Sequence, residues 1–386
     1  MFRRPYTYED LMQFRRCWSA VYVAAGLLLV VAGMVARAEI LYCKWGTELL
    51  RILPAVGLGV FLVKWNKPVK IIAALVRGKW LYPLIVTGII LILGNIIFGF
   101  HTPLQVIASL FLLSLFSISC DGIQEGDSSQ VFYMVPLSAL PLFVNGSVSG
   151  AIVCLLAGFG VLYRTFAGSC RHANPQWRLS KYSLVLGILI SIAMILVFLH
   201  LHLPAWKTDG ILLMRSAQQV LKHTVAFGHS RYLGVWAIDY EYAMGHDVTG
   251  YLGTLVGHSL GWVFMGGIFT VMVVWLISGA LLCYSPAASA ADVLARIVSK
   301  LAWVSMAVPM ALFLLQNLGL LPYIDTEAPL FTRNILSQIT SVFLSYLILI
   351  TGPAEPEENP KPRKLHRDKV YTSTVVGEKT HERLAA

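Results

Sequence analysis

Residues 256–282, VGHSLGWVFMGGIFTVMVVWLISGALL, hold no Lys, Arg, Asp or Glu over twenty-seven positions. As an α-helix rising ~1.5 Å per residue, such a run outreaches a hydrocarbon core of ~30 Å. Lipid offers no partner for backbone N–H and C=O groups, so a chain crossing it pairs them internally, as a helix does. Working outward, similar acid-free stretches occur at 18–36, 49–63, 80–98, 103–119, 131–145, 147–164, 182–203, 300–319 and 334–352. Together they account for a chain that is 57% hydrophobic and 13% charged. A large soluble helical protein would need a charged face on each helix, and these stretches have none. The pattern predicts an all-α polytopic membrane protein of about ten transmembrane helices, with tight turns at Gly99–Pro103 and Asn145–Ser147 dividing neighbouring spans.

Lys and Arg orient the bundle, because cytoplasmic loops retain positive charge. Counted by alternate loops, one side holds twenty-two of the thirty basic residues, among them Arg3, Arg4, Arg15, Arg16, Lys64, Lys67, Arg164, Arg171, Arg296 and seven in the tail. Both termini are therefore expected in the cytoplasm. The net charge of +10 follows from this topology and an anionic membrane surface, and it does not point to nucleic acid. The first apolar segment is too long for an ordinary signal core and is expected to remain as a span. The six cysteines share no metal-ligand spacing and suggest no disulfide framework. Two parts are expected: a transmembrane domain over 1–352, and a Pro-rich, charged cytoplasmic tail over 353–386 that is disordered by composition.

One connection stands apart, an outer loop over about 204–255 between spans 7 and 8. Within it Ile211, Leu212, Met214, Ala217, Val220 and Leu221 recur near helical spacing opposite Arg215, Gln218, Gln219 and Lys222. This predicts an amphipathic helix, lying at the interface or folded back over the bundle. The loop's acids are Asp209, Asp239, Glu241 and Asp247, joined on the outer side by Asp325 and Glu327. A carboxylate near His and aromatic groups at a membrane surface can be raised in pKa enough to take a proton from a sugar hydroxyl. His200 and His202 do not suggest a metal site, because side chains two apart on a helix diverge and no further ligands complete a set.

Three stretches carry a resemblance. Asn317-Leu318-Gly319-Leu320-Leu321-Pro322, followed by Pro329-Leu330-Phe331, looks like an N-x-G-x-x-P…L-P-F segment. Gln219 through Ala226-Phe227-Gly228 is similar to a Q…A-I-G stretch, and Thr249-Gly250-Tyr251 through Gly257-His258-Ser259-Leu260-Gly261 follows the spacing of T-D-F…G-E-E-L-G. With the ten-span layout and large outer loop, these resemble the shape, elongation, division and sporulation (SEDS) family, the RodA/FtsW-like polymerases of the bacterial cell wall. The resemblance implies an inner-membrane protein that joins lipid II units into glycan, with an undecaprenyl-linked precursor as substrate and a class B penicillin-binding protein as partner.

The departures fall on the working residues. Anchored on Gly257 and Gly261, the register puts Gly250 where the family has its catalytic Asp, and Asp247 three residues upstream is the nearest replacement. The family's R-W segment before span 4 is absent, Ala108 stands at the Lys of its Q-P-S-E-x-x-K run, and the S-Y-G-G-S-S stretch after Phe331 is missing. Sugar transfer from a lipid pyrophosphate needs a base for the attacking hydroxyl, and cations or a divalent metal beside the leaving diphosphate. Asp247 is the candidate base. Gln219, Lys222, Arg231, Asn317, Pro322 and Pro329 are the candidate substrate-binding residues, with Lys207, Arg215 and Arg333 as further cations. Three readings stay open: an active polymerase with a rearranged site, an inactive relative that scaffolds a penicillin-binding protein or the divisome, and a precursor flippase or transporter. All twenty acids lie outside the spans, which disfavours an ion-coupled carrier.

Overall fold

The computed structural model describes residues 8–40, 44–64, 81–98, 106–108, 110, 135–136, 139–140, 142–143, 148–156, 158–159, 185–197, 200, 211–228, 248–283, 290–322, 326–332 and 334–350. Most of these residues are helical, and none of them lies in a strand. In chain order the helices are α1 (Tyr8–Ile40), α2 (Trp45–Lys64), α3 (Leu81–Phe98), α4 (Val148–Leu156), α5 (Val185–Val197), α6 (Ile211–Lys222), α7 (Leu252–Leu260), α8 (Trp262–Cys283), α9 (Ala290–Asn317) and α10 (Ile335–Ile350). A 3-10 turn, Val248–Tyr251, leads into α7. Among the described residues α1, α2, α8 and α9 are each long and apolar enough to cross a membrane. The chain is a helical membrane protein. The expected spans 103–119 and 131–145 lie mostly outside the described residues, and the tail after Thr351 wholly so.

The core forms where α1 lies along α8, with α9 and α10 closing the group and α2 on the far side of α10. Tyr22 stacks on Trp275, ring centroids 5.2 Å apart at 16°, and its hydroxyl meets Ser345 Oγ at 3.1 Å. Trp303 Nε1 donates to Leu276 O at 3.1 Å, tying α9 to α8. Small residues admit these rings: a Cβ on Gly279 would stand 2.8 Å from Trp303 Cδ1 and 3.0 Å from Tyr22. Outward, α2 exposes Leu49, Leu50, Leu53, Val56, Val60 and Phe61, and α3 and α5 expose comparable apolar faces, as helices solvated by lipid do.

Two arginines on α1 tie its ends to the ends of α10. Arg15 Nη2 donates to Leu349 O at 2.8 Å and Ile348 O at 3.4 Å, supplying a donor to the terminal carbonyls that a helix leaves unpaired. Arg37 reaches the segment just before α10. The two helices are thus antiparallel, and about twenty-two residues at ~1.5 Å each put ~33 Å between the arginines, close to the thickness of a hydrocarbon core.

The apolar run 256–282 is not one helix. It breaks at Gly261, whose φ of 100° is left-handed and whose absent Cβ would lie 2.4 Å from Ala226 O. Any larger residue there meets both strain and collision, so the chain turns and α8 starts afresh at Trp262.

Candidate functional site

At the end of the bundle where α1 meets α2, a charged group is buried. Arg37 stands in the last turn of α1 and Glu48 in the first turn of α2, positions where each charge complements its helix dipole. Arg37 Nε donates to Glu48 Oε2 at 2.8 Å, and Arg51 Nη1 donates to Glu48 Oε1 at 2.6 Å. The Arg37 and Glu48 side chains are closed to solvent, while Arg51 keeps 29% of its side chain exposed. Among the described residues one carboxylate is thus shared by two guanidiniums, of which Arg51 is the accessible one.

The same arginine organises the segment before α10. Arg37 Nη1 donates to Phe331 O at 2.6 Å and Thr332 O at 3.0 Å. This approach depends on Gly33, one turn earlier on α1, where a Cβ would lie 2.8 Å from Phe331 O. Gln338 Nε2 also donates to Thr332 O, at 2.8 Å, and the Thr332 hydroxyl donates to the half-buried Glu327 carboxylate. Asn334 Oδ1 accepts from Leu336 N at 3.0 Å and Ser337 N at 3.4 Å and caps α10. Two carboxylates and two arginines are therefore linked through one short loop.

A second, uncharged network joins the end of α9 to the start of α7. Asn317 is fully buried, and its amide is committed to protein on both sides. Oδ1 accepts from Thr254 N at 2.8 Å and Thr254 Oγ1 at 3.2 Å; Nδ2 donates to Gly250 O at 2.8 Å and Phe313 O at 2.9 Å. Gln316 Nε2 adds a bond to Gly250 O at 2.6 Å. Beyond it, Gly319 at φ 67° ends α9 with Gly319 N on Gln316 O and Leu320 N on Leu315 O, both at 2.9 Å, the paired bonds of a Schellman cap. Gln218 Nε2 docks α6 onto that cap through Gly319 O at 2.7 Å.

The expected amphipathic helix is present as α6. It folds back over the bundle, burying Leu213 and Ala217 against Tyr251. Burial raises the Tyr251 phenol well above its ordinary value. Of the residues singled out from sequence, Gln219 and Lys222 lie exposed on the outer face of α6, and it is the neighbouring Gln218 that makes the contact. Asn317 and Gly250 are brought together, Pro322 is half-buried, and Pro329 is buried beside the Arg37 anchor. Asp247 and Arg231 lie outside the described residues, as do Lys207, Asp209, Asp239, Glu241, Asp325 and Arg333. Among the described residues no three His, Cys, Asp or Glu side chains converge as a metal site.

This arrangement of helices has solved counterparts. A chain of a peptidoglycan synthase complex, described for its structural coordination of polymerization and crosslinking, superposes with a TM-score of 0.53 at 16% identity, over 85% of this chain and 95% of that one. The rod shape determining protein RodA of Thermus thermophilus, solved as an aspartate-to-alanine mutant, gives 0.51 at 15% identity, over 86% and 96%. The fold is SEDS-like. By sequence alone the chain matches no family model and no curated protein. Asn317 and Gly319 have structural work here, a clasp and a helix cap.

The Arg37–Glu48–Arg51 group was not singled out from sequence. Arg37 and Glu48 flank apolar runs and count as loop charges there, whereas the structure puts Glu48 inside α2, a helix of membrane length, and so corrects the expectation that every acid lies outside the spans. The usable signal was their placement in the last and first turns of adjoining spans: charges retained at that depth in a membrane bundle need partners and often mark function.

Proposed function

We propose that this chain is a SEDS-like protein of the bacterial inner membrane, with about ten spans and both termini cytoplasmic, acting in cell-wall assembly on an undecaprenyl-linked glycan precursor. The observation that carries the reading is the buried Arg37–Glu48–Arg51 group in a SEDS-like fold, set against the segment that resembles the family's L-P-F motif. A partly exposed arginine held by a buried carboxylate is a preorganised cation. It suits the diphosphate of a lipid-linked sugar, where charge develops as the bond to the sugar breaks. Lys222 and Arg231 are further cations for that role, a divalent metal is the other means of neutralising the diphosphate, and Asp247 is the base for the attacking hydroxyl. A class B penicillin-binding protein is the partner that fits, by analogy with the synthase complex.

A second reading, an inactive relative that scaffolds such a partner, is favoured by Gly250. At the position aligned with the family's catalytic Asp this chain has a buried glycine whose carbonyl is taken by Gln316 and Asn317. The deciding experiment is polymerisation of lipid II by the purified protein, alone and with candidate class B penicillin-binding proteins. Glycan formed by the parent and lost in Arg51→Gln supports the polymerase. Partner binding with no glycan under either condition supports the scaffold and removes the enzyme assignment.

A further inference from the structure

Past its last turn α6 runs into Val225-Ala226-Phe227-Gly228, and this segment is stitched to the start of α8. Trp262 N donates to Val225 O at 2.9 Å, Val263 N to Ala226 O at 3.3 Å, and Gly228 N to Leu260 O at 3.2 Å. The first two bonds satisfy amides that open α8 and have no partner within that helix. The segment is therefore held at the level where a membrane-length helix begins. Phe227 is set edge-on to Phe264, centroids 6.3 Å apart, with 67% and 52% of these residues exposed, and Trp262 between them in sequence is 55% exposed. Three large aromatic side chains thus stand open at the shoulder of a span.

The helix that leads into this segment carries charge of one sign. Residues 211–228 contain Arg215, Lys222 and His223 and no acid, and Arg215, Gln219 and Lys222 recur at i, i+4 and i+7 on the exposed face of α6. Exposed aromatic rings at the start of a membrane-length helix, joined to a helix face that carries cations, match an amphiphile with an apolar body and an anionic head.

We infer that the outer face of α6 and residues 225–228 form a binding site for an anionic phospholipid, its acyl chains against Phe227, Phe264 and Trp262 and its phosphate between Arg215 and Lys222. A soluble protein partner fits less well, because the rings belong to the start of a lipid-crossing helix. The site does not use the buried arginine group; it shares Lys222 with the cations proposed for the diphosphate, and a titration that contains no glycan precursor reads the phospholipid by itself.

The test is native mass spectrometry of the full-length protein, with phosphatidylglycerol titrated against phosphatidylcholine of the same acyl chains. The parent should retain phosphatidylglycerol preferentially, and Arg215→Gln and Lys222→Gln should each lower that preference about fivefold. Phe227→Ser should lower retention of both lipids alike. Both cations are exposed, so the charge variants keep their fold, which an unchanged melting temperature verifies. Equal retention of the two lipids by the parent, or an unchanged preference in the double Arg215→Gln, Lys222→Gln variant, overturns the inference. So does loss of a co-purifying penicillin-binding protein in that variant with lipid preference intact, which makes the face a protein-docking surface instead.

Discussion

Arg37 and Glu48 form a 2.8 Å ion pair with both side chains closed to solvent, and the same guanidinium carries the carbonyls of Phe331 and Thr332. One residue at the end of α1 therefore sets the position of α2 and of the loop into α10. Removing the acid of a buried pair leaves its base uncompensated, at a cost of about 3–5 kcal/mol, whereas removing Arg37 leaves Glu48 on Arg51 and loses the contacts to Phe331 and Thr332. Arg37→Met and Glu48→Leu should each lower the unfolding temperature in detergent markedly, while the double variant should recover most of the loss. A double variant as unstable as the sum of the singles would mean that the carbonyl contacts, and not the ion pair, dominate.

Gly33 leaves the room through which the Phe331 carbonyl reaches Arg37. Gly33→Val should displace the loop and cost about 1–3 kcal/mol by overpacking, although Val is otherwise well suited to lipid. Wild-type stability in this variant would show that the loop yields freely.

Asn317 separates a structural from a ligand-binding role. Its four amide bonds to protein predict that Asn317→Ala lowers stability by about 2–4 kcal/mol and speeds amide exchange at Gly250 and Thr254. A substrate ligand would instead weaken precursor binding while leaving exchange unchanged. The two outcomes are read from the same protein sample.

Asp247 remains the base of the polymerase reading. If the parent forms glycan, Asp247→Asn should reduce the rate ~100-fold or more with folding unaffected. Full activity in that variant would move attention to Glu327, which is half-buried and held by the Thr332 hydroxyl close to the arginine group.

The orientation is open to cysteine scanning with an impermeant thiol reagent. Cysteines at 208 and 245 should label from outside intact cells, and those at 78, 126 and 172 and after 352 should not. Labelling of position 126 from outside would remove spans 3 to 6 as drawn from sequence.

What the sequence determined by itself was the class of the protein, a helical membrane chain. Uncharged runs of membrane length, basic residues gathered on alternate loops, an amphipathic stretch at 211–222 and the Asn317–Pro322 motif are all local patterns, and local patterns follow from what lipid and backbone require of neighbouring residues. Only the tertiary structure decided that Asn317 clasps Gly250, that Gln218 and not Gln219 docks α6, and that the run at 256–282 breaks where Ala226 meets Gly261. It alone joined Arg37 to Glu48, eleven residues away, and to Phe331, two hundred and ninety-four away. A charge beside an apolar run reads as a solvated loop residue until packing takes its water away. Whether a partner has replaced that water depends on which distant segments fold against it.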